Sequence, residues 1–141
     1  MKKRMAWFLI LWLLILATSG CALQEKTGLT DQTDYKYTLY IGLNDKDTYQ
    51  QIIREEEAQE ILSEICLKYV DGFTFSKRQG SYKDEKGVVT KESSLVYEFY
   101  GANDETIKSI MDEALNKLNQ NSILVEKAVV RYKFYEGATK Q

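Results

Sequence analysis

The sequence contains no histidine and only two cysteines among its 141 residues. Without histidine there can be no Ser-His-Asp triad, no Cys-His pair and no zinc site built on imidazole ligands. The glycines are also too scattered for a phosphate-binding loop, since Gly80, Gly87 and Gly101 are predicted to lie in separate turns. We therefore expect no metal and no cofactor, and no catalytic motif stands out.

An excess of positive charge is missing as well. The chain has 19 basic and 21 acidic residues, for a net charge of −2. Three of the basic residues, Lys2, Lys3 and Arg4, belong to a segment that is predicted to be removed, so the mature protein is more acidic still. A nucleic-acid partner is therefore not expected, because such partners are bound through clustered cations.

The first twenty residues have the organisation of an export signal. The three cations precede an uncharged apolar run that ends in Thr18-Ser19-Gly20-Cys21. A basic start, a short apolar core and small residues before a cleavage point are typical of a secretory signal peptide, and the run is too short for a relaxed transmembrane helix. Ordinary secretion and retention as an uncleaved anchor are the alternatives.

The end of this segment, Ser19-Gly20-Cys21, resembles the lipobox of bacterial lipoproteins, although Thr18 stands where leucine is usual. The resemblance implies cleavage before Cys21 and lipidation of its sulfur. Two or more acyl chains would anchor the protein stably to a membrane. We expect a location on the extracytoplasmic face of the cell membrane, or at the outer membrane if the host has two membranes.

The second cysteine, Cys66, has no predicted disulfide partner if Cys21 carries lipid. It lies on the apolar stripe of a predicted helix. Free cysteines are among the most buried residues, so we interpret Cys66 as an inert core thiol rather than a nucleophile.

The rest of the chain is predicted to form a tether over residues 21–34, one domain over residues 35–136 and a tail over residues 137–141. Period-two alternation predicts strands, and apolar residues three and four apart predict helices. The predicted strands cover residues 35–43, 73–82, 88–100 and 122–135, and the predicted helices cover residues 54–70 and about 103–119.

This β-α-β-β-α-β order predicts an α+β domain of the ferredoxin-like type. Two helices, each with one apolar stripe, would cover one face of a four-stranded antiparallel sheet, with strand order 4-1-3-2. In the last strand, Val130, Tyr132 and Phe134 are expected to face the helices. The alternate residues, Arg131, Lys133 and Tyr135, would then face away from them.

The uncovered sheet face is the first candidate for function. It is predicted to present a group of aromatic and charged side chains: Tyr40, Glu98, Tyr100, Arg131, Lys133 and Tyr135. Grouped exposed aromatics often mark an interface, but a solvated face that carries a few tyrosines is the alternative. Two carboxylates at even spacing on one strand, Glu92 and Glu98, leave acid–base chemistry open.

The mature domain also resembles a family of small exported bacterial proteins of unknown function. The similarity lies in Leu39-Tyr40-Ile41-Gly42-Leu43, Tyr69-Val70-Asp71-Gly72-Phe73-Thr74, Gly80-Ser81-Tyr82 with Lys86-Gly87, and Lys91-Glu92-Ser93-Ser94. The resemblance implies a ferredoxin-like fold and no particular activity. It points to a second surface beside the hairpin of strands two and three, which includes Asp71, Tyr82, Glu92 and Ser94.

The favoured hypothesis is a lipid-anchored, extracytoplasmic binding module without catalysis. Its open sheet face would hold an envelope protein, a small ligand or a second copy of the chain. The alternative is a small cofactor-independent enzyme of the dimeric ferredoxin-like kind, in which Tyr40, Glu98 or Glu92 moves a proton.

Overall fold

The computed structural model describes residues 32–83 and 87–137. The predicted signal peptide, Cys21 and most of the predicted tether lie outside these residues, as do the hairpin tip at 84–86 and residues 138–141. The described chain forms, in order, β1 (Gln32–Gly42), α1 (Glu55–Leu67), β2 (Thr74–Lys83), β3 (Val89–Tyr100), α2 (Asp104–Lys117) and β4 (Leu124–Tyr132).

The four strands form one antiparallel sheet in the order β2-β3-β1-β4. This is the predicted order 4-1-3-2, counted from the other edge, and it confirms the ferredoxin-like fold. β1 begins earlier than the sequence indicates. The predicted tether includes residues 32–34, but these residues pair with β4.

The core lies between the two helices and one face of the sheet. It receives every second residue of the central strands and one stripe from each helix, as the periodicity predicts. Its fully buried large side chains include Leu39, Ile41, Leu62, Ile65, Leu95, Tyr97, Phe99, Ile107 and Ile110. Cys66 is buried among them, and burial raises the pKa of its thiol to about 12.

The helix ends follow local sequence signals. Asn103 caps α2, since its side-chain oxygen accepts a hydrogen bond from Thr106 N at 2.8 Å. Three carboxylates occupy the first turn of α1, where they face the positive end of the helix dipole. α1 ends at Leu67 instead of Val70, and Tyr69 is left largely exposed.

The predicted orientation of β4 is wrong. Val130 and Tyr132 lie opposite Asp34 and Gln32, on the face away from the helices. Arg131 lies opposite Thr33 and therefore occupies the helix side of the sheet. The cause is that β4 is an edge strand with most of both its sides exposed, so that alternation alone does not fix its orientation.

The end of β4 also differs from the prediction. The strand stops at Tyr132, which places Lys133 and Tyr135 beyond the sheet instead of on its open face. Phe134, predicted to be inward, is 77% exposed. Across residues 32–83 and 87–137, no helix is long and apolar enough to cross a membrane.

Candidate ligand-binding cleft

The centre of the open sheet face is buried by side chains of the sheet itself. Thr38 and Val96 are only 4% and 6% exposed, although no helix lies above them. Around them, Lys36 Nζ donates to Glu98 Oε1 at 2.7 Å and Tyr40 Oη donates to Glu126 Oε2 at 2.8 Å. These hydrogen bonds raise the pKa of the Lys36 ammonium and of the Tyr40 phenol.

Three of the six residues predicted for the open face are brought to it, namely Tyr40, Glu98 and Tyr100. Arg131 lies on the helix side of the sheet instead, and Lys133 and Tyr135 follow the end of β4. Tyr132 takes their place: its ring lies 5.2 Å from that of Tyr100, centroid to centroid. Glu98 is engaged with Lys36, which makes it a poor candidate for proton transfer.

A cleft of about 470 Å³ opens at the end of this face, beside the β2–β3 hairpin, and we call it the hairpin-end cleft. It unites residues from both predicted surfaces with residues of two loops. Its lining is Tyr40, Gly42, Asn44, Asp45, Lys46, Tyr49, Tyr82, Lys83, Glu92, Ser94, Gln120, Asn121, Ser122 and Leu124.

The floor of the cleft depends on a missing side chain. Gly42 lies opposite Ser94, and a Cβ placed on Gly42 would come within 2.4 Å of Glu92 Oε1. The Glu92 carboxylate therefore occupies space that any larger residue would fill. Its Oε1 accepts a hydrogen bond from Asn44 N at 3.0 Å, which holds the carboxylate at the point where β1 ends.

The rim of the cleft is a loop that is fastened to the end of α2. Asn119 Nδ2 donates to Asp45 Oδ2 at 2.7 Å and to Asp47 Oδ2 at 2.8 Å. Asp45 Oδ1 accepts from Asp47 N, Thr48 N and Thr48 Oγ1. The amide of Asn119, followed by the Thr48 amide, lowers the pKa of Asp45 to about 2.

A further hydrogen bond fastens the same loop: Gln120 Nε2 donates to the Asn44 carbonyl at 2.9 Å. No pattern in the sequence marks Asn44, Asp45, Asn119 or Gln120 as site residues. Their types are ordinary for turns, and only tertiary contact joins the loop after β1 to the end of α2. No pattern within either segment could have predicted that contact.

Asp71, the fourth residue predicted for the hairpin side, lies elsewhere. It lines a second cleft of about 610 Å³ at the other end of the sheet, together with Tyr69, Glu98, Tyr100 and Phe134 among others. The predicted hairpin-side surface is therefore divided: Tyr82, Glu92 and Ser94 meet in the hairpin-end cleft, and Asp71 does not join them.

The chemistry available in the hairpin-end cleft is that of recognition. It offers tyrosine rings, amides, hydroxyls and charges of both signs, a combination that can orient a polar ligand. Within residues 32–83 and 87–137, no group of three or more Cys, Asp or Glu side chains is arranged to hold a metal ion. The buried Cys66, whose thiol has a raised pKa, lies in the core between the helices and the sheet.

The fold and the cleft define a small ferredoxin-like α+β domain. Residues 36–134 match the family described as "Protein of unknown function (DUF3574)", and the chain belongs to that family. No curated protein is similar enough to match the chain.

The chain is similar to several solved structures. A phage SAM lyase in complex with S-methyl-5'-thioadenosine has a TM-score of 0.50 and 17% identity, with 82% of this chain and all of that chain covered. A phage SAM lyase in the apo state has a TM-score of 0.45 and 18% identity, with 74% of this chain and 94% of that chain covered. The complex of B. subtilis GlnK with ATP has a TM-score of 0.39 and 15% identity, with 67% of this chain and 83% of that chain covered. At such identities the similarity concerns the fold alone.

Proposed function

We propose that this protein is a lipid-anchored, extracytoplasmic binding domain, and that the hairpin-end cleft holds its ligand. The observation that carries the proposal is the close approach of Glu92 to Gly42. The Glu92 carboxylate is held in the cleft floor by the Asn44 amide, in space that a side chain at position 42 would fill. A few precisely placed polar groups in a cleft can fix the orientation of a ligand.

The lining of the cleft supports a polar ligand. The charges of Asp45 and Glu92 are matched in number by those of Lys46 and Lys83, so neither sign dominates. Tyr82 and Tyr49, which are well exposed, offer ring faces on the same cleft. Rings combined with amides and hydroxyls suit a polar molecule of mixed character better than a purely apolar or a highly charged one.

The anchor is supported by the sequence of residues 1–21. The basic start, the short apolar run and Ser19-Gly20-Cys21 together make Cys21 the attachment point of the lipid. Ten residues, 22–31, separate Cys21 from Gln32, where β1 begins. The cleft lies at the opposite end of β1, beside Gly42, so the length of the strand would separate it from the attachment point.

The anchor is tested by substituting Cys21 with Ser in the full chain. Labelling of growing cells with a radioactive fatty acid should mark the wild-type protein and not C21S. The same substitution at Cys66 serves as the matched control and should keep the label. Labelling of C21S, or absence of label from the wild-type protein, would contradict the lipid anchor.

The binding site is tested by native mass spectrometry on the full chain, extracted from membranes in a mild detergent. We expect a species with additional mass that denaturation removes. The double variant Tyr82→Ala, Glu92→Gln should lose this mass. Phe134→Ala, which alters the second cleft, should keep it. A bare protein under all extraction conditions, or equal retention by the double variant, would overturn the proposal.

A further inference from the structure

The two edges of the sheet differ in a way that concerns assembly. The middle of β2 is polar and basic, with the sequence Ser-Lys-Arg-Gln-Gly-Ser. β4 carries apolar side chains along its length, and Leu124 and Val129 are 63% and 67% exposed. An exposed, apolar edge strand is a template for pairing with another strand.

In the part of the chain that the structure describes, several of the usual protections of an edge are absent from β4, although the strand does carry Glu126, Lys127 and Arg131. It is nine residues long, pairs with β1 in an unbroken register without a bulge, and contains no proline. Lys127 lies in its middle, and its Nζ is 2.8 Å from Asp104 Oδ1 and 4.1 Å from the centre of the Tyr35 ring, so the edge could be approached without displacing it, although its charge still counts against another cation placed directly opposite. The lysine is thereby turned back over its own sheet.

We propose that β4 pairs antiparallel with β4 of a second copy of the chain, about a two-fold axis through Ala128, to form a continuous eight-stranded sheet. In such a pair, directly opposed residues share a face of the sheet, and all nine residues of the strand take part. The opposed pairs are Leu124 with Tyr132, Val125 with Arg131, Glu126 with Val130, Lys127 with Val129, and Ala128 with itself.

The positions of the charged residues favour this register over the registers whose axis passes through Lys127 or Val129. No two charges of the same sign are directly opposed when Ala128 lies on the axis. An axis through Lys127 would place that lysine opposite itself, and an axis through Val129 would place Lys127 opposite Arg131. Like charges in direct opposition destabilise a strand pair. The small side chain of Ala128 also permits close approach at the axis.

The proposed dimer does not depend on ligand binding, but its interface would lie next to the hairpin-end cleft. Leu124 lines the hairpin-end cleft and would contact Tyr132 of the second copy. The Tyr132 ring of each copy lies tilted against the Tyr100 ring of its own chain, so the dimer seam would run beside the open face.

The register is tested by cysteine cross-linking of the full chain in native membranes. Directly opposed residues have Cα atoms about 4.5–5.5 Å apart, within the range that a disulfide spans. Ala128→Cys should therefore form a covalent dimer under mild oxidation. In the variants Lys127→Cys and Val129→Cys, the new cysteine would be diagonal to the same cysteine of the second copy, about 7–8 Å away. These two variants should therefore cross-link much less.

Two controls complete this experiment. Gln79→Cys places a thiol on the β2 edge and should remain monomeric. The parent chain, with Cys21 and the buried Cys66, gives the background. Absence of a dimer at Ala128→Cys, or equal cross-linking at Ala128, Lys127 and Gln79, would overturn the proposed interface.

A charge substitution at the axis gives a second measurement. Ala128→Glu would place two carboxylates opposite each other, whereas Ala128→Gln has the same size without the charge. Within one chain position 128 lies opposite Lys36, so the glutamate should not disturb the fold, which circular dichroism checks. In sedimentation of the detergent-extracted full chain, the dissociation constant of A128E should exceed that of A128Q by about two- to fivefold. Equal constants, or tighter association of A128E, would contradict the model of self-pairing.

Discussion

The Glu92 carboxylate occupies the space that a side chain at Gly42 would need. A Cβ on Gly42 would lie 2.4 Å from Glu92 Oε1, much closer than van der Waals contact allows, and the same oxygen accepts the amide proton of Asn44. The two residues are distant along the chain and meet because β1 and β3 are neighbours in the sheet. The shape of the cleft floor therefore depends on both of them together.

Gly42→Ala should push the Glu92 carboxylate aside, and the cost should be that of the lost hydrogen bond to Asn44 N, about 0.5–1.5 kcal/mol, because the clashing atoms are the end of a flexible side chain. Urea unfolding of a soluble chain that begins at Ala22 measures the effect. Glu92→Ala should remove most of the penalty, so a double-mutant cycle should show strong coupling between the two sites. Gly80→Ala is the matched control, because a Cβ there meets no atom within 4 Å. Additive effects of the two substitutions would contradict direct contact.

Asp45→Asn should destabilise the protein at neutral pH. The native hydrogen bonds hold the pKa of Asp45 at about 2, below its ordinary value of 3.8. A lowered native pKa means that the ionised carboxylate stabilises the fold above about pH 4, and that this contribution is lost as the pH falls from about 4 towards 2. Unfolding curves of wild type and D45N should thus converge over that interval. A difference that stays constant with pH would show that the charge of Asp45 plays no part.

Cys66 should be unreactive in the native protein. Burial raises the pKa of its thiol to about 12, so little thiolate exists at pH 8 and no reagent can reach it. In a chain that begins at Ala22, a coloured disulfide reagent should detect no thiol under native conditions and one thiol per chain in guanidinium chloride. Rapid native labelling would show that the helix α1 opens locally or that Cys66 is accessible.

Glu92→Gln separates the binding hypothesis from the enzymatic one. Gln keeps an oxygen for the Asn44 amide but cannot exchange a proton. For a binding domain, the molecule that co-purifies with the full chain should have the same mass in E92Q and in wild type. For an enzyme, the variant should retain an unconverted substrate of different mass. Glu98→Gln is the control: it removes the partly buried ion pair with Lys36, and Glu98 does not line the hairpin-end cleft.

The elements of the fold could be predicted because their signals are local. Leu39 and Ile41 alternate with polar or partly exposed neighbours along β1, and Ala58, Leu62 and Ile65 recur at helical spacing in α1. Two amphipathic helices and four strands in this order leave few ways to bury every apolar stripe. The order of the strands in the sheet follows from the same constraint, and the structure confirms it.

The orientation of β4 could not be predicted in this way. Val130 and Tyr132 have the alternation of a core-facing strand, but both lie on the open face. An edge strand gains little from burying either side, so its orientation is set by the register with β1 and by contacts such as Tyr132 with Tyr100. These contacts join segments far apart in the chain.

The sequence by itself determined the order of helices and strands and the ferredoxin-like fold, and it indicated Tyr40, Tyr82, Glu92 and Ser94 as candidate residues; the export signal stays a prediction. Only the tertiary structure decided that these four share one cleft, that Asp71 does not belong to it, and that Asn119 fastens its rim. The physical reason is the range of the interactions. Periodicity and turn preferences act over a few residues, whereas a site is defined by strand register and loop contacts that no short segment encodes.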